Sequence, residues 1–437
     1  MKKTGQPLSF SMSDVTEGVV ELWNRNHYTN ASRYAIRWEL KEDDKVIQSG
    51  DLALSTAPLS QELVHIPYKK PALIPGKEYR LMLHAVLKKD ELWAKAGHEV
   101  AWEELELPWS LPCSSEEKAQ GVPSYSLSEK ELVVSGDGFK YVFNRTDGQL
   151  TSMVVQDMEL LESPLRLNLW RAPLANELDN WNASSARSSN WKEGYEYTVA
   201  TEMYSAGIDR LTHQPLSFSV SETTEGVHIH IIDAELMGKG EKEKKDLYIE
   251  GVQNNGIINH YEYIINSEGT IEIRHVLKPE GKMPLWFPRI GLTLTVSDAL
   301  DQVKWYGRGP QENYPDRKTG YPTGIYASTV QAMYEPYLMP QDYGLRTDVR
   351  WLQLTTDKGI GLQFKMNEWF NFNIYPYSTD NLTKAMYTYQ LQKQKGMTLN
   401  LDYATTGVGC TARGVFGAYK AMPQEYRRTI SIRPMMK

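Results

Sequence analysis

Only two cysteines occur in the 437 residues, Cys113 and Cys410. So wide a separation fits two buried thiols better than a disulfide framework, which sets aside the small disulfide-stapled folds. Positive charge is also short: 48 Lys and Arg against 55 Asp and Glu leave a net charge of -7, with the basic residues scattered singly. A nucleic-acid partner is excluded on that ground. No run approaches the roughly eighteen uninterrupted apolar residues of a spanning helix, so no membrane span is expected and the chain reads as soluble. The opening MKKTGQPLSFSMSDVTEGVV has no apolar stretch behind its lysines. It is not a secretory signal, although an internal cut of a longer exported protein would look the same. Asn-X-Ser/Thr triplets begin at Asn30, Asn144, Asn182 and Asn381 and matter only in a eukaryotic secretory route. Also missing are GxSxG, a P-loop, a GxGxxG opening a helix and HExxH, so nucleotide chemistry and zinc hydrolysis drop out.

Helical periodicity is nearly absent as well, and alternation dominates. GVVELWNRN (18–26), YAIRWEL (34–40), YRLMLHAVL (79–87), VHIHIID (227–233), TIEIRHVL (270–277) and LTLTV (292–296) place apolar residues at every second position. That is the period of a half-buried strand. Turn chemistry between the runs (EDD, SEG, TDG, NNG) argues for antiparallel hairpins and an all-β class. The length suits two or three units. Strand-length runs at 18–24, 33–40, 45–49, 51–55, 61–66, 78–87 and 98–107 suit an immunoglobulin-like two-sheet sandwich. The organisation expected is a tail (1–6), a sandwich (7–109), a proline- and serine-rich linker (110–123) and one large β-domain (124–437). Short helices are expected at SPLRLNLWRAP (163–173) and STDNLTKAM (378–386).

Chemistry-bearing residues are few. His228 and His230 fall on one face of a strand with no accompanying ligand in sequence, and read as a solvated pair rather than a metal site. Glu312 and Asp316 have the look of a glycosidase carboxylate pair. However, Arg308 and Arg317 flank them, and a guanidinium lowers a carboxyl pKa, the wrong direction for a general acid. Trp (12) and Tyr (26) recur beside amides and charges, as in NLWRAPLANELDNWN (168–182), PLWFPRIG (284–291) and NEWFNFNIYPYS (367–378). The mixture suits carbohydrate contact, rings stacking on sugar faces while polar groups meet hydroxyls, and suits β-sandwich cores equally well.

WYGRGPQENYPDRKTG (305–320), YEPYLMPQDYGLRTDVRWLQL (334–354) and FNIYPYSTDNLTKAMYTYQL (372–391), with WRAPLANELDN (170–180) and PRIGLTLTV (288–296) ahead of them, resemble the C-terminal domain of lac-type β-galactosidases of glycoside hydrolase family 2. VVELWNRNHYTNASRYAIRWELKEDDKVIQSG (19–50) and AKAGHEVAWEELEL (94–107) are similar to the immunoglobulin-like domain before it. The resemblance implies an immunoglobulin-like sandwich followed by a supersandwich of the galactose-mutarotase-like type. It also implies that the catalytic glutamates and the Mg or Na ligands belong to a (β/α)8 barrel, for which the period-two pattern has no room. The chain is then either the C-terminal piece of a longer enzyme or a small subunit, noncatalytic by itself, whose partners are that barrel portion, a β-galactoside and further subunits in a homo- or hetero-oligomer. A bacterial-type cytoplasm or periplasm fits.

In that family a GxGGDxSW-type loop carries a Trp platform for the leaving-group sugar. Here the stretch reads GVGCTARGVFGAY (407–419), with Gly407 and Gly409 at the turn and Gly414 at the Trp position. The missing indole implies a different β-linked galactoside, or another glycoside of the same family, in place of lactose. The candidate sugar-binding residues are Arg308, Asn313, Tyr314, Arg346 and Arg413, with no catalytic residue and no metal ligand. Two alternatives stay open: a carbohydrate-binding module without catalysis, and an aldose epimerase using His260 or His275 with Glu262 or Glu272.

Overall fold

The computed structural model describes residues 2–112, 121–178, 200, 203, 206–238, 255–410 and 414–436. Arg413, Cys113 and Asn182 lie outside the described residues. The chain divides into Met1–Glu117 with Pro322–Gly324, and Lys118–Tyr321 with Ile325–Lys437.

The first unit holds β1 (Leu8–Asp14), β2 (Val19–Asn24), β3 (Tyr34–Glu42), β4 (Lys45–Leu52), β5 (Ser60–His65), β6 (Tyr79–Leu87) and β7 (Glu99–Leu107). Sheets β1-β2-β5 and β4-β3-β6-β7 are antiparallel throughout. The inward side chains, among them Leu8, Val20, Leu22, Ile36, Trp38, Leu40, Leu81 and Leu83, form one buried cluster. Alternation therefore does what it must: the apolar half of each strand faces the other sheet.

Two expectations shift. The runs at 45–49 and 51–55 are one strand through Leu52, in which Gly50 lies opposite Trp38. A Cβ on Gly50 would sit 2.8 Å from the Trp38 indole nitrogen, so this glycine clears the ring rather than breaking the strand. The extra strand is LSFSMSD at Leu8–Asp14, whose alternate serines resemble tail composition although Leu8 and Phe10 are buried.

In the second unit β8 (Ser124–Leu127), β9 (Glu131–Gly136), β10 (Phe139–Asn144), β11 (Gln149–Val155) and β12 (Met158–Glu159) form one sheet. A larger sheet, twelve-stranded among the described residues, runs β13 (Leu161–Asn168), β18 (Arg289–Val296), β23 (Met397–Thr405), β22 (Gly361–Tyr375), β24 (Tyr426–Met435), β17 (Ile271–Glu280), β16 (Gly256–Ile265), β15 (Gly226–Leu236), β14 (Thr212–Thr223). Its branch is β19 (Gln302–Arg308) paired with β20 (Thr323–Thr329) and β21 (Arg346–Thr355), the last joined to β22. Tyr141, Phe143, Ile229, Ile273, Trp305 and Phe364 belong to one buried cluster. The chain is all-β, as its alternation predicts.

Among the described residues helix is confined to short pieces. At α2 (Thr379–Lys384) the Ser378 side chain accepts from the Asn381 N–H, an N-cap where a helix is expected. α1 (Ala175–Leu178) is a single turn. The expected helix at 163–173 is instead mainly the end of β13: Leu165 and Leu167 point inward at period two, and Pro164 sits at an irregularity of an edge strand, where its missing N–H costs least.

Candidate functional site

Two stretches singled out in the sequence converge on the backbone of residues 406–409, which opens a third. From the WRAP stretch, Arg171 donates from Nη1 to the Thr406 carbonyl at 2.6 Å and from Nη2 to the Gly407 carbonyl at 3.0 Å. Glu177 in α1 holds that guanidinium at 2.7 Å. Asn176 Nδ2 donates to the Val408 and Gly409 carbonyls. From the corner after β19, the Asp316 carboxylate accepts the Val408 and Gly409 N–H groups at 2.9 and 2.6 Å. Gly407 packs on that carboxylate so closely that a Cβ would lie 2.4 Å from Cγ. Gly409, at φ 68°, takes a left-handed conformation that glycine adopts at little cost.

The corner is locked on itself. Glu312 accepts from Arg317, from the Tyr337 hydroxyl and, at 2.9 Å, from the Gly344 N–H. Asn313 is fully buried; its amide donates to the Gln311 carbonyl at 3.1 Å and its oxygen accepts from Thr347. The buried Tyr314 hydroxyl donates to Asp342 at 3.2 Å, and Arg317 lies over its ring at 4.9 Å. Arg346 donates to the Gly344 and Pro310 carbonyls at 2.8 and 2.9 Å and covers Trp305. Burial without a bonded carboxylate lowers its pKa to about 10. Gly309 is required where a Cβ would fall 2.7 Å from the Tyr326 ring.

One cleft, of about 580 Å³, opens beside this scaffold. Pro315 and Lys318 come from the corner, Asp348 from β21, Asn367, Trp369 and Asn371 from β22, Thr405 from β23, and Tyr419 and Lys420 from the loop after Gly407. Trp369 and Tyr419 are 45% and 39% exposed, aromatic surface left free in a polar setting. Arg350 stacks on Trp369 at 3.7 Å, fixing the indole. Asn371 bridges the Asp348 N–H and the Thr405 hydroxyl. Asp348 receives Arg308 Nε at 2.6 Å and Lys318 Nζ at 2.7 Å. Burial pushes its pKa up, but the two cations outweigh that and hold it below the usual range. Its backbone, at φ 54° inside a strand irregularity, is strained, as residues at functional sites often are.

Arg308, Asn313, Tyr314 and Arg346 are thus brought together at the corner, with Asn313, Tyr314 and Arg346 buried and internally bonded and Arg308 turned to Asp348 and the Tyr321 carbonyl. The carboxylates and flanking arginines of the corner divide among three contacts: Glu312 with Arg317, Arg308 with Asp348, and Asp316 with loop amides. Backbone N–H partners for Asp316 have no sequence signature. Among residues not nominated, Trp369 and Asn371 belong to the aromatic-amide stretch NEWFNFNIYPYS, whereas nothing in LRTDVRW marks Asp348.

His275 bonds to neither Glu262 nor Glu272. His275 is buried between the Tyr403 hydroxyl at 2.7 Å and Asn259 at 3.1 Å, stacked on Tyr261, and burial pushes its pKa down to about 3. Glu262 and Glu272 are both engaged by Arg274.

The fold and site define an all-β chain with an aromatic- and amide-lined cleft on a buried polar scaffold. The family model described as "Beta galactosidase small chain" matches residues 135–432, and that for "Beta-galactosidase, domain 4" matches residues 20–108. The chain belongs to the β-galactosidase small-chain family. A β-galactosidase of Priestia megaterium is 30% identical over 94% of this chain and 36% of its own length. One of Pseudoalteromonas haloplanktis is 27% identical over 85% of this chain and 33% of its own. The chain spans about a third of the length of these relatives. A solved Escherichia coli structure titled a putative aldose 1-epimerase aligns at TM-score 0.35 and 9% identity, covering 70% of this chain and 98% of its own. No helix among the described residues is long and apolar enough to cross a membrane.

Proposed function

We propose that this chain completes the sugar cleft of a retaining β-galactosidase and supports its assembly, while the reactive glutamates, with Mg or Na, lie on a catalytic barrel portion or large subunit. The observation that carries this reading is the convergence of Arg171, Asn176, Glu177 and Asp316 on residues 406–409, beside a cleft presenting Trp369 and Tyr419. Within the cleft the chemistry favours holding a sugar over cleaving one. A general acid needs a raised pKa, and Asp348 is lowered. Arg308, Asn313, Tyr314 and Arg346 act in this reading by positioning the loop and Asp348, and Trp369 and Tyr419 supply stacking surface where Gly414 leaves none.

Hydrolysis of an aryl β-galactoside tests this: none by the chain alone, restored on mixing with the barrel-bearing portion of a relative. Turnover by the isolated chain overturns it. In the restored enzyme, Trp369→Ala raises KM for a disaccharide by roughly 5- to 30-fold, the worth of one ring-to-sugar contact of about 1–2 kcal/mol, and changes the aryl substrate less.

A further inference from the structure

On the outward face of the large sheet, far in sequence from the corner residues, His228 and His230 of β15 face Glu262 of β16. His230 and Glu262 are directly opposite in register, and the donor atoms of all three lie within 4.8 Å of one another. The sequence pattern lacks this grouping because the third member arrives across a strand pair, 32 residues from His230. We propose that these residues bind one zinc-class divalent cation.

His228 Nδ1 is 3.2 Å from Glu262 Oε1. Two ligands on tetrahedral zinc, each at about 2.0–2.1 Å, stand about 3.3 Å apart, so this pair already has the required bite. The outer contacts have the form that orients ligands. Thr223 Oγ1 lies 2.8 Å from His228 Nε2, so an Nε2–H donated to it leaves the Nδ1 lone pair for the metal. Arg274 Nη1 holds the other Glu262 oxygen at 3.1 Å and leaves Oε1 toward the histidines. Glu272 and Glu225 also pair with Arg274. His230 is exposed, which allows its ring to swing onto the ion with an aqueous position open. Two imidazoles and one carboxylate select zinc, or nickel and copper, over magnesium and calcium.

A second group, His213, Asp233 and Glu235, does not offer the same chemistry. Both ring nitrogens of His213 face oxygens, Glu235 at 2.8 Å and the Asp147 carbonyl at 2.7 Å, which makes it an imidazolium with no lone pair to give.

Calorimetric titration of the full chain with zinc chloride, in a non-chelating buffer near neutral pH, tests the assignment. The expected result is saturation at one equivalent in the micromolar range. His230→Ala and Glu262→Gln each weaken binding by about tenfold or more, and His213→Ala leaves it unchanged. Because His230 is exposed, its variant keeps the fold, and circular dichroism checks this. Absence of saturable binding, binding that survives His230→Ala, or loss on His213→Ala instead would each overturn the site.

Discussion

At Asp348 a single side chain joins two arguments, since it sits at a left-handed backbone position and takes both Arg308 and Lys318. Asparagine tolerates that conformation, so Asp348→Asn removes charge with little added backbone strain. The variant is expected to lose about 1–3 kcal/mol at neutral pH, as charge-assisted bonds to a largely buried group are lost. The pH dependence has a defined sign. The folded pKa lies below the unfolded value near about 3.9, so the contribution is complete above that value and fades as pH falls through the folded one. Thermal unfolding of both proteins from about pH 7 to pH 3 should show their difference shrinking below about pH 4. A difference constant across that range contradicts the assignment. Asn371, which holds the Asp348 N–H, was legible only as part of an aromatic-amide stretch; its partner was not, because a long-range hydrogen bond leaves no mark on local composition.

Among elements, the loop 406–409 depends most on others. Its carbonyls are held from the WRAP stretch and its Val408 and Gly409 N–H groups by Asp316, and Gly407 leaves space for that carboxylate. Gly407→Ala drives a methyl into Asp316, so either the carboxylate or the loop must move. Hydrogen exchange at the Val408 and Gly409 amides is expected to accelerate by about tenfold, equivalent to some 1.4 kcal/mol of lost local protection, while exchange in β17 stays unchanged. Equal protection in the variant would show that the clamp is not what orders the loop. The glycines were legible as a turn. Their reason was not, since it is a neighbour 91 positions away that forbids the Cβ at Gly407.

In the second unit as a whole, His213 ties the hairpin of β14 and β15 to the turn between β10 and β11, one nitrogen on Glu235 and the other on the Asp147 carbonyl. The Glu235 bond leads in raising its pKa to about 9, burial opposing. Stability from this imidazolium is therefore complete below the unfolded value near about 6.5 and lost as pH rises through 9. Asp233 alongside is pushed up to about 6 by burial, so its own effect falls in a lower window. Melting temperature followed from about pH 6 to pH 10 should decline in the parent chain and stay nearly flat, from a lower start, in His213→Gln. Parallel curves would remove His213 as the cause.

Composition and alternation by themselves determined that the chain is all-β, with apolar faces at period two, turns between them and no excess of positive charge. The reason is that strand periodicity and turn chemistry act over neighbouring residues. Even the errors were local: Gly50 read as a break, and Pro164 and its surrounding leucines as a helix. Ordered motifs also carried the family. Only the tertiary structure decided that Asp316 clamps a loop, that Asn313, Tyr314 and Arg346 are buried in the corner's own bonding, and that Glu262 meets His228 and His230. Each joins residues by strand register or backbone approach, and such contacts are written in space rather than in spacing along the chain.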